Sequence, residues 1–106
     1  MSKLVGRVAI VTGAAYGERA ALGAEYAKAL AADGASVVLS DREDCGPVVA
    51  DIEAAGGTAF GLITDVKDEQ QIQEMAARTL SAYGRIDILI NNAAIGSNIP
   101  PISVTK

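Results

Sequence analysis

The residues of this chain that could do chemistry sit at turns. They are Gly13, Gly17 and Gly23 within "TGAAYGERAALG" (12–23), Asp41 after "SVVLS", Asp65 after "TAFGLIT", and the pair Asn91 and Asn92. Glycines between a β-branched run and a helix let the backbone approach a pyrophosphate. The helix N-terminus adds free N–H groups and a positive dipole end. A carboxylate at the end of the next strand, here Asp41, can bind both ribose hydroxyls of an adenosine and repels a 2′-phosphate. The plainer readings are that Asp41 and Asp65 only start turns, and that Asn91 and Asn92 satisfy their own loop backbone. Asp87 reads as structural.

Composition narrows the chemistry. The 106 residues hold no histidine and one cysteine, Cys45. An intramolecular disulfide is therefore excluded, as are His-based triads, and a lone thiol cannot build a zinc site. The net charge is −4, and aromatic residues make up 4% of the chain. With no basic stripe, nucleic acid is not an expected partner. No apolar run is long enough to span a membrane, and the start does not resemble a secretory signal, so the expected location is cytoplasmic. A small soluble ligand is the default.

The elements that must position these residues follow from periodicity. Val8–Thr12 reads as a buried strand. A helix follows over 22–32, with Leu22, Tyr26, Ala29 and Leu30 as its apolar stripe, stopped by Gly34. A second strand over 36–40 ends in Asp41. Pro47 and the pair Gly56 and Gly57 bracket a helix near 47–55. A third strand covers 58–64. Asp68 and Gln71 have the spacing of a capping box, and a helix runs on to Tyr83 with Ile72, Met75, Ala76 and Leu80 inward. "IDILIN" (86–91) is a fourth strand, and the rest reads as loop. The alternation implies an α/β fold, a parallel sheet with helices on both faces.

With these elements in place, "TGAA…G", Asp65-Val66 and "NNAA" (91–94) together resemble the short-chain dehydrogenase/reductase family, over nearly the whole chain. That family carries TGxxxGxG, an acid after its third strand, and NNAG. The resemblance implies a Rossmann-type fold. It also implies a cofactor site of Gly13, Ala15, Gly17, Arg19, Leu22, Gly23, Asp41, Arg42, Asp65, Val66, Asn92, Ala93 and Ala94. Asp65 would accept from the adenine amino group with the Val66 backbone beside it. Asn92, Ala93 and Ala94 would line the adenosine ribose and the approach to the nicotinamide. Ala94 departs from the family's glycine.

Two frames fit the turn. In one, Gly13 and Gly17 are the first two motif glycines and the third position falls on Arg19. In the other, Gly23 is the third glycine, Ala21 replaces the second, and the turn is four residues longer. The second frame is favoured, because Gly23 then sits at the close helix–strand contact and the helix starts near Leu22. In that frame Glu18 is expected to point outward. Asp41 favours NAD, and Arg42 keeps NADP as the lesser alternative.

The family's Ser and Tyr-x-x-x-Lys are absent from these 106 residues, since neither Tyr16, Tyr26 nor Tyr83 has a lysine four residues on. The chain is therefore expected to be the cofactor-binding half of an oxidoreductase interconverting an alcohol and a ketone, 3-oxoacyl-reductase-like in its most generic form. It reads as one incomplete domain whose segment from about 95 to 106 leads to a catalytic half. The resemblance implies a small carbonyl or alcohol substrate and a homo-oligomer. A non-catalytic nucleotide-binding module is the alternative.

Overall fold

The structure, a computed structural model, describes residues 3–16 and 22–92. Four strands, β1 (Val8–Thr12), β2 (Ser36–Asp41), β3 (Thr58–Ile63) and β4 (Ile88–Asn91), alternate with α1 (Leu22–Ala32), α2 (Gly46–Ala54) and α3 (Glu69–Tyr83). The sheet has the order β3-β2-β1-β4, and every pair is parallel. The chain winds from β1 outward to β3, then crosses back to lay β4 on the other side of β1. Right-handed crossovers in opposite directions put their helices on opposite faces. This is the doubly wound, Rossmann-type α/β arrangement expected from the alternation.

The strand pleat sorts the core into two layers. Val11, Val37, Leu39 and Ala59 meet α1 and α2 through Ala24, Ala27, Ala31, Val48 and Ile52. Ile10 and Val38 meet α3 through Ile72 and Met75, joined by Val66 and rimmed by Phe60, Leu62 and Tyr83. The Phe60 and Tyr83 rings lie 5.6 Å apart in a tilted pair. All five β1 residues are buried, which explains their unbroken apolar run.

Helix stripes differ from those the periodicity suggests. In α1 the buried residues are Gly23, Ala24, Ala27 and Ala31, while Leu22 and Tyr26 are exposed. The helix lies so close to β1 that only small residues fit between, and the bulky ones are turned to the rim. In α3, Thr79 is buried in place of Leu80, its hydroxyl donating to the Met75 carbonyl at 2.8 Å. That back-bond satisfies the polar group inside the helix.

Boundaries move too, by one residue at the ends of β2, α2 and β3. Helix α2 begins at Gly46, one residue before the expected start. Strand β4 begins at Ile88 rather than at 86, because Ile86 packs under α3 and the Asp87 side chain takes over the ladder. Asp87 Oδ2 accepts from the Val8 N–H at 2.8 Å, and the Asp87 N–H donates to the Val8 carbonyl at 2.8 Å. Arg85 grips the same carboxylate at 2.8 and 2.7 Å, and Arg7 lies 3.5 Å away. Asp87 is thus structural, fastening the start of β4 to the start of β1.

These contacts, the Arg85 hydrogen bond first and the Val8 N–H next, lower the Asp87 pKa to about 2. The stability Asp87 contributes is fully present above the ordinary carboxyl pKa of about 4 and is lost as pH falls through about 2. Asp87→Asn should therefore lower Tm at neutral pH, and the gap to the unmodified chain should close as pH falls to about 2. A pH-independent gap in thermal melts would show the carboxylate charge to be irrelevant. Ser40 offers a second test. Its hydroxyl is fully buried, with no hydrogen-bond partner among the described residues. Ser40→Ala should stabilise the chain by about 1 kcal/mol in denaturant unfolding, since it removes an unpaired buried group.

Candidate nucleotide site

Because all strands are parallel, the turns after β1, β2, β3 and β4 gather at one edge of the sheet. The winding reverses between β1 and β4, which is where such folds hold ligands. The structure thereby brings Gly13, Ala15, Asp41, Arg42, Asp65, Val66 and Asn92 to one end. Gly17, Arg19, Ala93 and Ala94 lie outside the described residues, as do Glu18 and Ala21.

The glycine turn is built on Gly13. Its φ of +65° is a conformation that residues with side chains rarely adopt. Helix α1 begins at Leu22, and Gly23 lies directly against this turn. A Cβ on Gly23 would stand 2.0 Å from the Gly13 carbonyl oxygen and 3.0 Å from Ala14 Cα. This close helix–turn contact is the one expected of Gly23 in the longer-turn frame, while residues 17–21, where the two frames differ, lie outside the described residues. The exposed Leu22 side chain leads into the helix at the mouth of the turn.

Neighbouring strands hold the turn from two sides. The Ala14 N–H donates to the Ser40 carbonyl at 3.1 Å. The Ala15 N–H donates to Asp41 Oδ2 at 3.0 Å. From β4, Asn92 Nδ2 donates to the Gly13 carbonyl at 3.2 Å, and the Thr12 hydroxyl donates to Asn91 Oδ1 at 3.0 Å. The two asparagines are thus ties between strand ends, a role that no local sequence signal marks.

Asp41 does two things at once. Its Oδ1 accepts from the Glu43 N–H at 3.1 Å, which starts the turn into α2, while Oδ2 clamps Ala15. Each carboxylate oxygen has a further lone pair for a ligand hydroxyl. The Asp41 carbonyl accepts from the Thr64 N–H at 2.8 Å, which brings the tip of β3 alongside. Beyond it, Asp65 is oriented by three contacts. Its Oδ1 accepts from the Lys67 N–H at 2.9 Å, its N–H donates to Gln71 Oε1 at 2.8 Å, and its carbonyl accepts from the Asp68 N–H at 3.0 Å.

The α3 cap accordingly differs from a full capping box. Asp68 caps the helix by accepting from the Gln70 and Gln71 N–H groups, but the Gln71 amide carbonyl reaches Asp65 instead of returning to the Asp68 N–H. The Val66 side chain is buried against α3, so any ligand there meets its backbone. Arg42 is exposed and forms no ion pair among the described residues.

Charge at the tip of β2 is negative. Cys45, buried at the start of α2, has its thiol pushed up to about 12, first by burial and then by the carboxylates of Asp41 and Asp44. It is therefore a neutral packing group at physiological pH. Among the described residues no cluster of three His, Cys, Asp or Glu side chains could hold a metal. No helix among them is long and apolar enough to cross a membrane.

A glycine turn after β1, with an acid at the tip of the adjacent parallel strand, is the arrangement of Rossmann-type folds. The family of short chain dehydrogenases matches residues 7–106, and the chain belongs to that family. It is 40% identical over 100 residues to 7α-hydroxysteroid dehydrogenase of Escherichia coli K12, an alignment covering 92% of this chain and 38% of that protein. It superposes on the crystal structure of a hydroxysteroid dehydrogenase from Escherichia coli with a TM-score of 0.77 at 40% identity, covering 83% of this chain and 37% of the other. It also superposes on a metagenomic short-chain oxidoreductase in complex with NADP, with a TM-score of 0.73 at 40% identity and coverage of 81% and 38%. The chain thus spans well under half the length of the relatives it matches.

Gly23→Ala tests the close contact. The added Cβ meets backbone, which cannot swing aside, so the substitution should cost about 2–4 kcal/mol. An unchanged denaturation midpoint would mean that α1 does not approach the turn this closely.

Proposed function

We infer that this chain holds the cofactor of an NAD-dependent oxidoreductase that interconverts a small alcohol and its carbonyl. The observation that carries the reading is Asp41. Its carboxylate stands at the tip of β2, bonded to the backbone of the glycine turn, with acceptor capacity left for the two ribose hydroxyls. Gly13 leaves the backbone bare where a pyrophosphate would approach, and α1 points its N-terminus at the same place. Asp65, beside Asp41, takes the adenine amino group, with the Val66 backbone next to it.

NAD is preferred to NADP on charge. A 2′-phosphate would meet Asp41, in the negative surroundings that also raise the Cys45 pKa. A structural relative is in complex with NADP, so the shared fold by itself does not select NAD. Arg42 is the cation that would soften the discrimination. The bound nicotinamide supplies or accepts the hydride. The residues of this chain bind and orient it, and they fix the adenosine end through Asp41 while the turn holds the phosphates. Proton transfer in this reading belongs to a Ser and a Tyr-x-x-x-Lys set, reached through residues 95–106. Gly17, Arg19, Ala93 and Ala94 complete the cofactor site, and the active form is a cytoplasmic homo-oligomer.

Titration calorimetry with NAD and NADP tests the assignment. The unmodified chain should bind NAD more tightly. Asp41→Asn, which keeps one acceptor oxygen for the turn, should shrink that ratio about tenfold by removing the charge. An unmoved ratio would overturn the role of Asp41, and preference for NADP in the unmodified chain would overturn the cofactor.

A further inference from the structure

Tyr16 follows Ala15 directly, at the last described position before segment 17–21 and the start of α1. Its hydroxyl donates to Asp51 Oδ2 on α2 and accepts from Lys28 Nζ on α1 at 3.0 Å. The Lys28 ammonium also lies 5.1 Å from the centre of the Tyr16 ring, and Glu25 is 3.4 Å from Nζ on its other side. One side chain of the turn is thereby joined to both helices of that face. We propose that Tyr16, Lys28 and Asp51 form a latch that positions the glycine turn for phosphate binding, with Tyr16 as the positioning residue.

Among the described residues of the turn, the Ala14 and Ala15 N–H groups are tied to β2 and the Gly13 carbonyl to Asn92. Any conformational freedom left in a turn must be given up when a phosphate binds. The tie at Tyr16 carries the fixed part of the turn from Ala15 outward to both helices. All three members are charged or polar and lie at the surface, so the latch adds little to the core. Its effect falls on the order of the turn. The Tyr16 hydroxyl, with Glu25 behind it, holds the Lys28 ammonium above its usual pKa, so the cation is present throughout the physiological range.

This inference rests on the nucleotide reading for its ligand but not for its geometry, and the test separates the two. Tyr16→Phe keeps the ring and its contact with Lys28 but removes the shared hydroxyl. Amide exchange read by NMR on the full chain should then accelerate several-fold at Ala14 and Ala15 and stay unchanged at Val38 in the core. Affinity for ADP and NAD should fall about threefold to tenfold, the change expected for one net hydrogen bond, while affinity for adenosine, which has no phosphate, stays unchanged. Asp51→Ala should do the same, and the double variant should lose no more than either single one.

Unchanged exchange at Ala14 and Ala15 would overturn the latch. So would equal losses for adenosine, ADP and NAD together with faster exchange across the sheet, which would mark plain destabilisation. If the unmodified chain binds neither ADP nor NAD, the nucleotide reading and the latch's part in phosphate binding both fall. The latch as a restraint on the turn is then decided by amide exchange alone.

Discussion

The approach of α1 to the Gly13 carbonyl is the constraint on which the rest of the structure depends. The virtual Cβ of Gly23 falls 2.0 Å from that oxygen, so helix and turn can meet only if position 23 has no side chain. The same oxygen accepts from Asn92, which ties the end of β4 to the end of β1. One carbonyl therefore fixes the height of α1 over the sheet and the place of β4 beside it. The alanine face of α1 follows from this. With the helix backbone so near β1, Ala24, Ala27 and Ala31 fill the available depth. Leucine or tyrosine in their places would force the layers apart.

The opposite end of the sheet is fastened by different physics. Asp87 gathers a backbone N–H and arginine donors onto one carboxylate. Charge-assisted hydrogen bonds there substitute for the first ladder bonds of β4. The strand is short, four residues from Ile88 to Asn91, and it is held at both ends by polar ties, Asp87 below and the asparagines above. Between them Ile90 packs toward the α1–α2 layer. On the other face Leu89, paired with the fully buried Ile10, remains exposed. The α3 layer covers β1 and β2 well and β4 little.

The elements were legible in the sequence because strand and helix periodicities are local, and the glycines that end the helices are local signals as well. The parallel order followed from their alternation. The face of α3 was legible, with Ile72, Met75 and Ala76 buried as expected, but the face of α1 was less so. In α1 the pattern of large apolar residues pointed to Leu22, Tyr26 and Leu30, because a hydrophobicity pattern takes no account of how close a neighbouring backbone comes. The positions of Gly13, Asp41 and Asp65 at one edge could be read from spacing. The partners that orient them could not. Ala15 with Asp41, Asn92 with Gly13, and Tyr16 with Asp51 are contacts between distant parts of the chain, and each uses a residue type common in ordinary loops. Gln71 is the intermediate case. Its distance from Asp68 was a recognisable cap, yet its carbonyl serves Asp65, because the β3 turn places that N–H within easier reach.

Asp41 shows why fold and recognition cannot be separated at this edge. A carboxylate reserved wholly for ribose would be an isolated charge at a strand tip, free to rotate before the ligand arrived. Here backbone N–H groups from the turn before α2 and from the glycine turn hold both oxygens. Its orientation is therefore set in advance. This arrangement lowers the entropy lost on binding. It also couples the glycine turn to the tip of β2: whatever shifts Ala15 shifts the Asp41 carboxylate with it. The neighbouring carboxylate of Asp44 makes the same place unfavourable to further negative charge. In the proposed reading, discrimination against a 2′-phosphate would therefore rest on residues that the fold already needs to close its turns.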